Sequence, residues 1–148
     1  MRALAAALAL VLAGCAGVAA PPAPAGAPDV RGTWRGTWGG APLTLVVTDQ
    51  TEGAAYAGLF VGPWLVSGSR YPGVSGILTF PVRGAARSVR VDGWVLSARP
   101  LRLRLVAPAL DGPVELTLTG ADGDTLTGEG AAGVRWGPAG PVVLRRAG

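Results

Sequence analysis

The chain has no histidine, no lysine and no asparagine, and Cys15 is its only cysteine. Without histidine, the usual general base, the commonest metal ligand and every Ser-His or Cys-His nucleophile arrangement are excluded together. With no second cysteine there is no disulfide, so the domain beyond Cys15 must be held by burial and hydrogen bonding. Catalysis would rest on nine acidic residues, and these are scattered. Their one close pair is Asp122 and Asp124 in "GADGDTLTGEG", with Glu129 a little further on. The Asp-Gly step between "ELTLT" and "TLTGE" reads as a hairpin turn rather than a calcium loop, which would need further oxygen ligands. No enzyme activity, metal or cofactor is expected.

Charge of one kind is carried by one residue type, since all 13 basic side chains are arginine. The sequence pI of about 10.6 would ordinarily suggest an anionic partner. Without Arg2, however, twelve arginines face nine acids, a net of +3 that is ordinary for a soluble domain. The densest basic stretch holds Arg83, Arg87, Arg90, Arg99, Arg102 and Arg104, opposed only by Asp92. Arg102 and Arg104 alternate with Leu101, Leu103 and Leu105, the pattern of a half-buried strand with its cations in water. Nucleic acid is not an expected partner.

The amino terminus reads Met1-Arg2, an apolar run of Ala, Leu and Val, and then "LAGC" at residues 12 to 15. A short positive region, an apolar region and small residues make a secretory signal, too short to span a bilayer as a stable helix. Its ending resembles the lipobox of bacterial lipoproteins, with Leu12 three residues before Cys15 and small residues between. The resemblance implies cleavage between Gly14 and Cys15 and a diacylglyceryl thioether on the Cys15 sulfur. Each buried methylene contributes about 0.8 kcal/mol, so two or three acyl chains make such an attachment effectively permanent. An Asp after the lipidated Cys favours inner-membrane retention in such proteins; Ala16 stands there, so the resemblance implies the outer membrane, facing the periplasm. Residues 1–14 are thus expected to form a helical signal peptide. Residues 15–30 carry the lipid and a disordered Pro/Ala-rich linker, since "AGVAAPPAPAGAP" has no charge and no periodicity. At about 3.1 Å per residue in polyproline geometry, that linker reaches up to roughly 40 Å.

Residues 31–148 are expected to form one all-β domain. "LTLVVTD" (43 to 49), "LRLRLVA" (101 to 107) and "VELTLT" (114 to 119) alternate apolar and polar residues strictly. Weaker alternation runs through "GTWRGTW" (32 to 38), "AAYAGLFV" (54 to 61), "GILTFPV" (76 to 82), "SVRVDGWVL" (88 to 96) and "PVVLRR" (141 to 146). Between them "DQTEG", "RYPG", "RGAAR", "LDGP" and "GADGD" read as turns. About 8 to 10 short antiparallel strands mean a sandwich or a barrel. Mid-strand glycines at 36, 58, 76 and 93 favour a small up-and-down barrel, because they permit sharp coiling.

Trp34, Trp38, Tyr56, Phe60, Trp64 and Trp94 are the candidate lining of an apolar ligand pocket, should a barrel interior be left unfilled. If it is filled, they are its core. Gly32-Thr33-Trp34 in the first strand, with Arg145 or Arg146 in the last, resembles the Gly-x-Trp signature of the calycins, the lipocalin and avidin-like barrels. The resemblance implies that Trp34 closes one end of the barrel beneath a basic side chain, with Trp34 and Arg145 as the candidate pair. Two functions follow as expectations. One is a membrane-anchored envelope lipoprotein with a structural or accessory role toward an envelope protein partner. The other is a calycin-like carrier of a small apolar molecule or lipid.

Overall fold

The computed structural model describes residues 26–61, 64–108, 113–120, 123–132 and 137–148, with the backbone course alone for 53–70. Eight strands follow one another: β1 (Gly32–Trp38), β2 (Ala41–Val61), β3 (Trp64–Val82), β4 (Ala85–Ala98), β5 (Leu101–Ala107), β6 (Val114–Gly120), β7 (Thr125–Ala132) and β8 (Ala139–Arg146). Each pairs antiparallel with its neighbour in sequence, and β8 pairs with β1 from Trp34↔Arg146 to Trp38↔Val142. The result is a closed up-and-down barrel, all-β among the described residues.

Eight strands, rather than more, result because two stretches with turn chemistry do not turn. "DQTEG" lies inside β2 and "RYPG" inside β3, facing each other across the pair. Thr51 pairs with Gly73 and Ala55 with Tyr71, so residues 52–54 oppose Pro72 alone. A bulge of this kind absorbs the proline, which has no N–H to give the ladder, and the strands continue.

Period-two alternation sorts the wall into two faces. Leu101, Leu103 and Leu105 are buried inside while Arg102 and Arg104 are exposed outside. The same holds for Val114, Leu116 and Leu118 of β6 and for Val142 and Leu144 of β8. Apolar side chains inside and arginines outside reverse the arrangement of barrels that span membranes, whose outer band is apolar. Inward-facing glycines let the sheet coil tightly. A Cβ on Gly93 would collide with the carbonyl oxygen of Arg104, and one on Gly36 with that of Val143. Only a residue without a side chain lets the neighbouring strand pass so close.

Side chains fill the interior. Trp38 and Phe80 meet edge to face, ring centroids 5.3 Å apart at 70°, within the favourable range for aromatic pairs. Trp38 also lies over Gly130, where an added Cβ would sit 2.5 Å from both its Nε1 and Leu116 Cδ2. The two ends of the barrel differ. At one, β1 turns into β2 and β3 into β4. At the other, the chain enters ahead of β1, β8 finishes, and β2 and β3 run on together beyond the wall.

Candidate functional site at the closed end

Residues 28–31 cross that second end as a strap, and a network of side chains accounts for its backbone polar groups. Val30 is buried at 1% exposure although it precedes the first strand. Its N–H donates to Gln50 Oε1 at 2.9 Å and its carbonyl accepts from Trp34 Nε1 at 2.9 Å. Gln50 Nε2 donates to the Pro28 carbonyl at 3.1 Å. Arg146 donates through Nη1 to the Arg31 carbonyl at 2.6 Å and through Nη2 to the Asp29 carbonyl at 2.7 Å. Asp29 Oδ1 accepts from the Arg31 N–H at 3.0 Å. Buried backbone groups need such partners, and here each of these finds one. The folded unit therefore begins ahead of Arg31, the expected boundary, because the barrel end needs a plug and Val30 supplies it.

The basic group over Trp34 is Arg146, not Arg145. Its guanidinium carbon stands 4.4 Å from the Trp34 ring centroid, a cation–π contact worth about 0.5–2 kcal/mol. Strand parity decides between the two arginines: Val142 and Leu144 point inward, so Arg146 follows them and Arg145 faces solvent. Arg146 Nε also lies 3.5 Å from Asp124 Oδ1, and its backbone N–H donates to the Asp124 carbonyl at 2.9 Å. The Arg31 guanidinium grips the Asp29 carboxylate with both Nε and Nη2, at 2.9 and 2.8 Å. That hydrogen-bonded partner, opposed by some burial, holds the Asp29 carboxyl below its ordinary value.

Of the candidate aromatic residues, the three whose side chains are described, Trp34, Trp38 and Trp94, do not share one pocket. Trp34 and Trp38 are interior, fully buried. Trp94 lies between the inward Gly93 and Val95 and so faces outward, opposite Arg104. It lines a groove of about 210 Å³ with Thr51, Ser75 and Asp92, where the barrel wall meets the run-on of β2 and β3. There Ser75 Oγ donates to Asp92 Oδ1 at 2.7 Å and lowers the aspartate's pKa, assisted by Arg90. A second groove of about 390 Å³, lined by Thr48, Asp49, Ile77 and Arg90, is likewise on the outer face. Tyr56, Phe60 and Trp64 are described by their backbone only, and Gly14, Cys15 and Asp122 lie outside the described residues.

Sequence reasoning did not single out Gln50 or Val30, and it read Asp124 as a turn residue without its contact to Arg146. Gln50 carries the only side-chain amide of the chain, and that rarity was the available signal. Fold and site together define a strap-capped, eight-stranded closed barrel. Comparison with protein-family models, curated proteins and solved structures finds no match.

Proposed function

We propose that this chain is an exported envelope lipoprotein, anchored through a lipid on Cys15 and facing the periplasm from the outer membrane. Its barrel is a non-enzymatic accessory domain that engages an envelope partner through its outer surface. The observation that carries this reading over the carrier is the occupied interior. Trp38, Phe80, Leu78, Leu103 and Leu116, each at or below 1% exposure, stand where a calycin-like carrier would keep its ligand cavity, a space of about 300–1,000 Å³. The calycin resemblance itself gains support from the stacking of Arg146 on Trp34, which bears on how the end is closed and not on what is bound.

Two measurements test the reading. Radiolabelled palmitate should enter the wild type and be absent from Cys15→Ser; label in that variant, or none in the wild type, overturns the anchor. Native mass spectrometry of the purified protein should show the bare mass of the barrel apart from its anchor. A co-purifying lipid that survives removal of the anchor would instead favour the carrier.

A further inference from the structure

β2 and β3 continue past the barrel as a ribbon with no other strand of the described residues paired beside it. β1 leaves β2 at Gly32↔Val47, and β4 leaves β3 at Trp94↔Gly73. From Ala55↔Tyr71 to Val61↔Trp64 the two strands pair, among the described residues, only with each other. Isolated two-stranded ribbons are marginal in water, and both edges expose unpaired N–H and C=O groups. Sequence along the ribbon departs from that of the wall. Between Glu52 and Arg70 there is no charged residue, and the tip is nearly continuously apolar: Leu59, Phe60 and Val61 in one strand, Trp64, Leu65 and Val66 in the other. The register sets Phe60 opposite Leu65 and Val61 opposite Trp64.

Placement supplies the occupant. The ribbon leaves the wall at the end where the strap enters, and the strap leads back through Gly26 toward Cys15. Ten residues from Glu52 to Val61, at about 3.3 Å each, reach roughly 33 Å. The linker between Cys15 and the strap reaches up to roughly 40 Å. An anchor on Cys15 and the ribbon tip can therefore touch one bilayer at once. Trp and Tyr suit the membrane–water interface, whereas open strand edges are not tolerated in the hydrocarbon core. Together these set a shallow depth.

We propose that the ribbon tip, with Phe60 opposite Leu65 and Val61 opposite Trp64 at the end of the barrel where the strap enters, reaches the interfacial layer of the bilayer as a second membrane contact. It rests on the lipoprotein reading only for the choice of bilayer, and its chemistry is independent of the anchor. Glu52 and Arg70 leave the ribbon without net charge, so the attachment is apolar and insensitive to salt.

The test uses a chain of residues 16–148, which keeps every contact of strap and barrel described above and has no cysteine. Cosedimentation is measured with vesicles of phosphatidylethanolamine and phosphatidylglycerol. The unanchored chain should bind at low and high salt. Phe60→Asp and, separately, Val61→Asp should each weaken binding roughly tenfold or more, with the urea midpoint unchanged, while Arg102→Gln should leave binding as it was. A chain that stays in the supernatant overturns the proposal. So does binding that salt or Arg102→Gln abolishes, which would make the arginine face the contact. A dimer lost in Phe60→Asp without loss of vesicle binding overturns it in favour of a second copy. Because no lipid is attached, failure of palmitate labelling leaves this result intact, and failure here leaves the anchor intact.

Discussion

Wall and ribbon are built from the same two strands, yet they satisfy their backbones and side chains in opposite ways. Within the wall, β2 has β1 on one side and β3 on the other, and alternate residues enter a filled core. Past Thr51 the strands pair with each other and, among the described residues, with no other strand. Strict alternation belongs to a sheet with one dry face and one wet one; a nearly continuous apolar run belongs to a strand that meets apolar surroundings on both faces, which an isolated pair has to find outside its own sheet. Pairing alone makes a strand, and what lies beside the pair decides the sequence that it carries.

The largest expected effect separates the two regions directly. Trp38→Ala should cost about 3–5 kcal/mol in urea unfolding, as large core truncations do. Trp64→Ala in the ribbon should stay within about 0.5 kcal/mol, as a site away from the core. Equal losses would show that the ribbon belongs to the cooperative unit, and the distinction would fall.

Next come the side chains that hold the strap. Gln50→Leu leaves the Val30 N–H and the Pro28 carbonyl without partners and should cost about 1–3 kcal/mol. Arg146→Met removes the cation over Trp34 and two carbonyl contacts and should cost about 2 kcal/mol. Arg145→Met, one residue away on the outer face, should change stability by no more than about 0.5 kcal/mol. Reversal of the two arginines in a denaturant titration would contradict the phase of β8.

The smallest effect is acid-linked. Asp29 titrates below the ordinary aspartate value of 3.8, chiefly through its hydrogen bonds from Arg31. A depressed carboxylate stabilises the fold fully above that value, and the contribution is lost as pH falls through the lowered one. Asp29→Asn should therefore be slightly less stable than wild type at neutral pH and converge with it in strong acid. A difference that widens on acidification would refute the assignment.

Alternation made the wall legible. β5 occupies the segment that its Leu-Arg repeat marks, and β1 spans the whole of "GTWRGTW". The ribbon was concealed because Gly, Pro, Asp and Gln, which favour turns, here occupy a bulge inside a continuing pair. Gln50 was concealed by phase. Leu43, Leu45 and Val47 predict an inward residue 49, but the register slips by one between Val47 and Asp49, and Gln50 takes the interior position instead. No count along the chain reveals such a slip. Arg146 was within reach, since Val142, Leu144 and Arg146 share a parity that excludes Arg145. Strap pairing to residues 22 and 117 positions away has no local signature at all.

Arg146 is the last residue of β8 and grips carbonyls just ahead of the first strand. A pull arriving along the amino-terminal chain therefore meets the last strand as well as the first. The load spreads over the β1–β8 seam and the Val30 plug together. Any force on the strap is thereby shared by the whole cylinder.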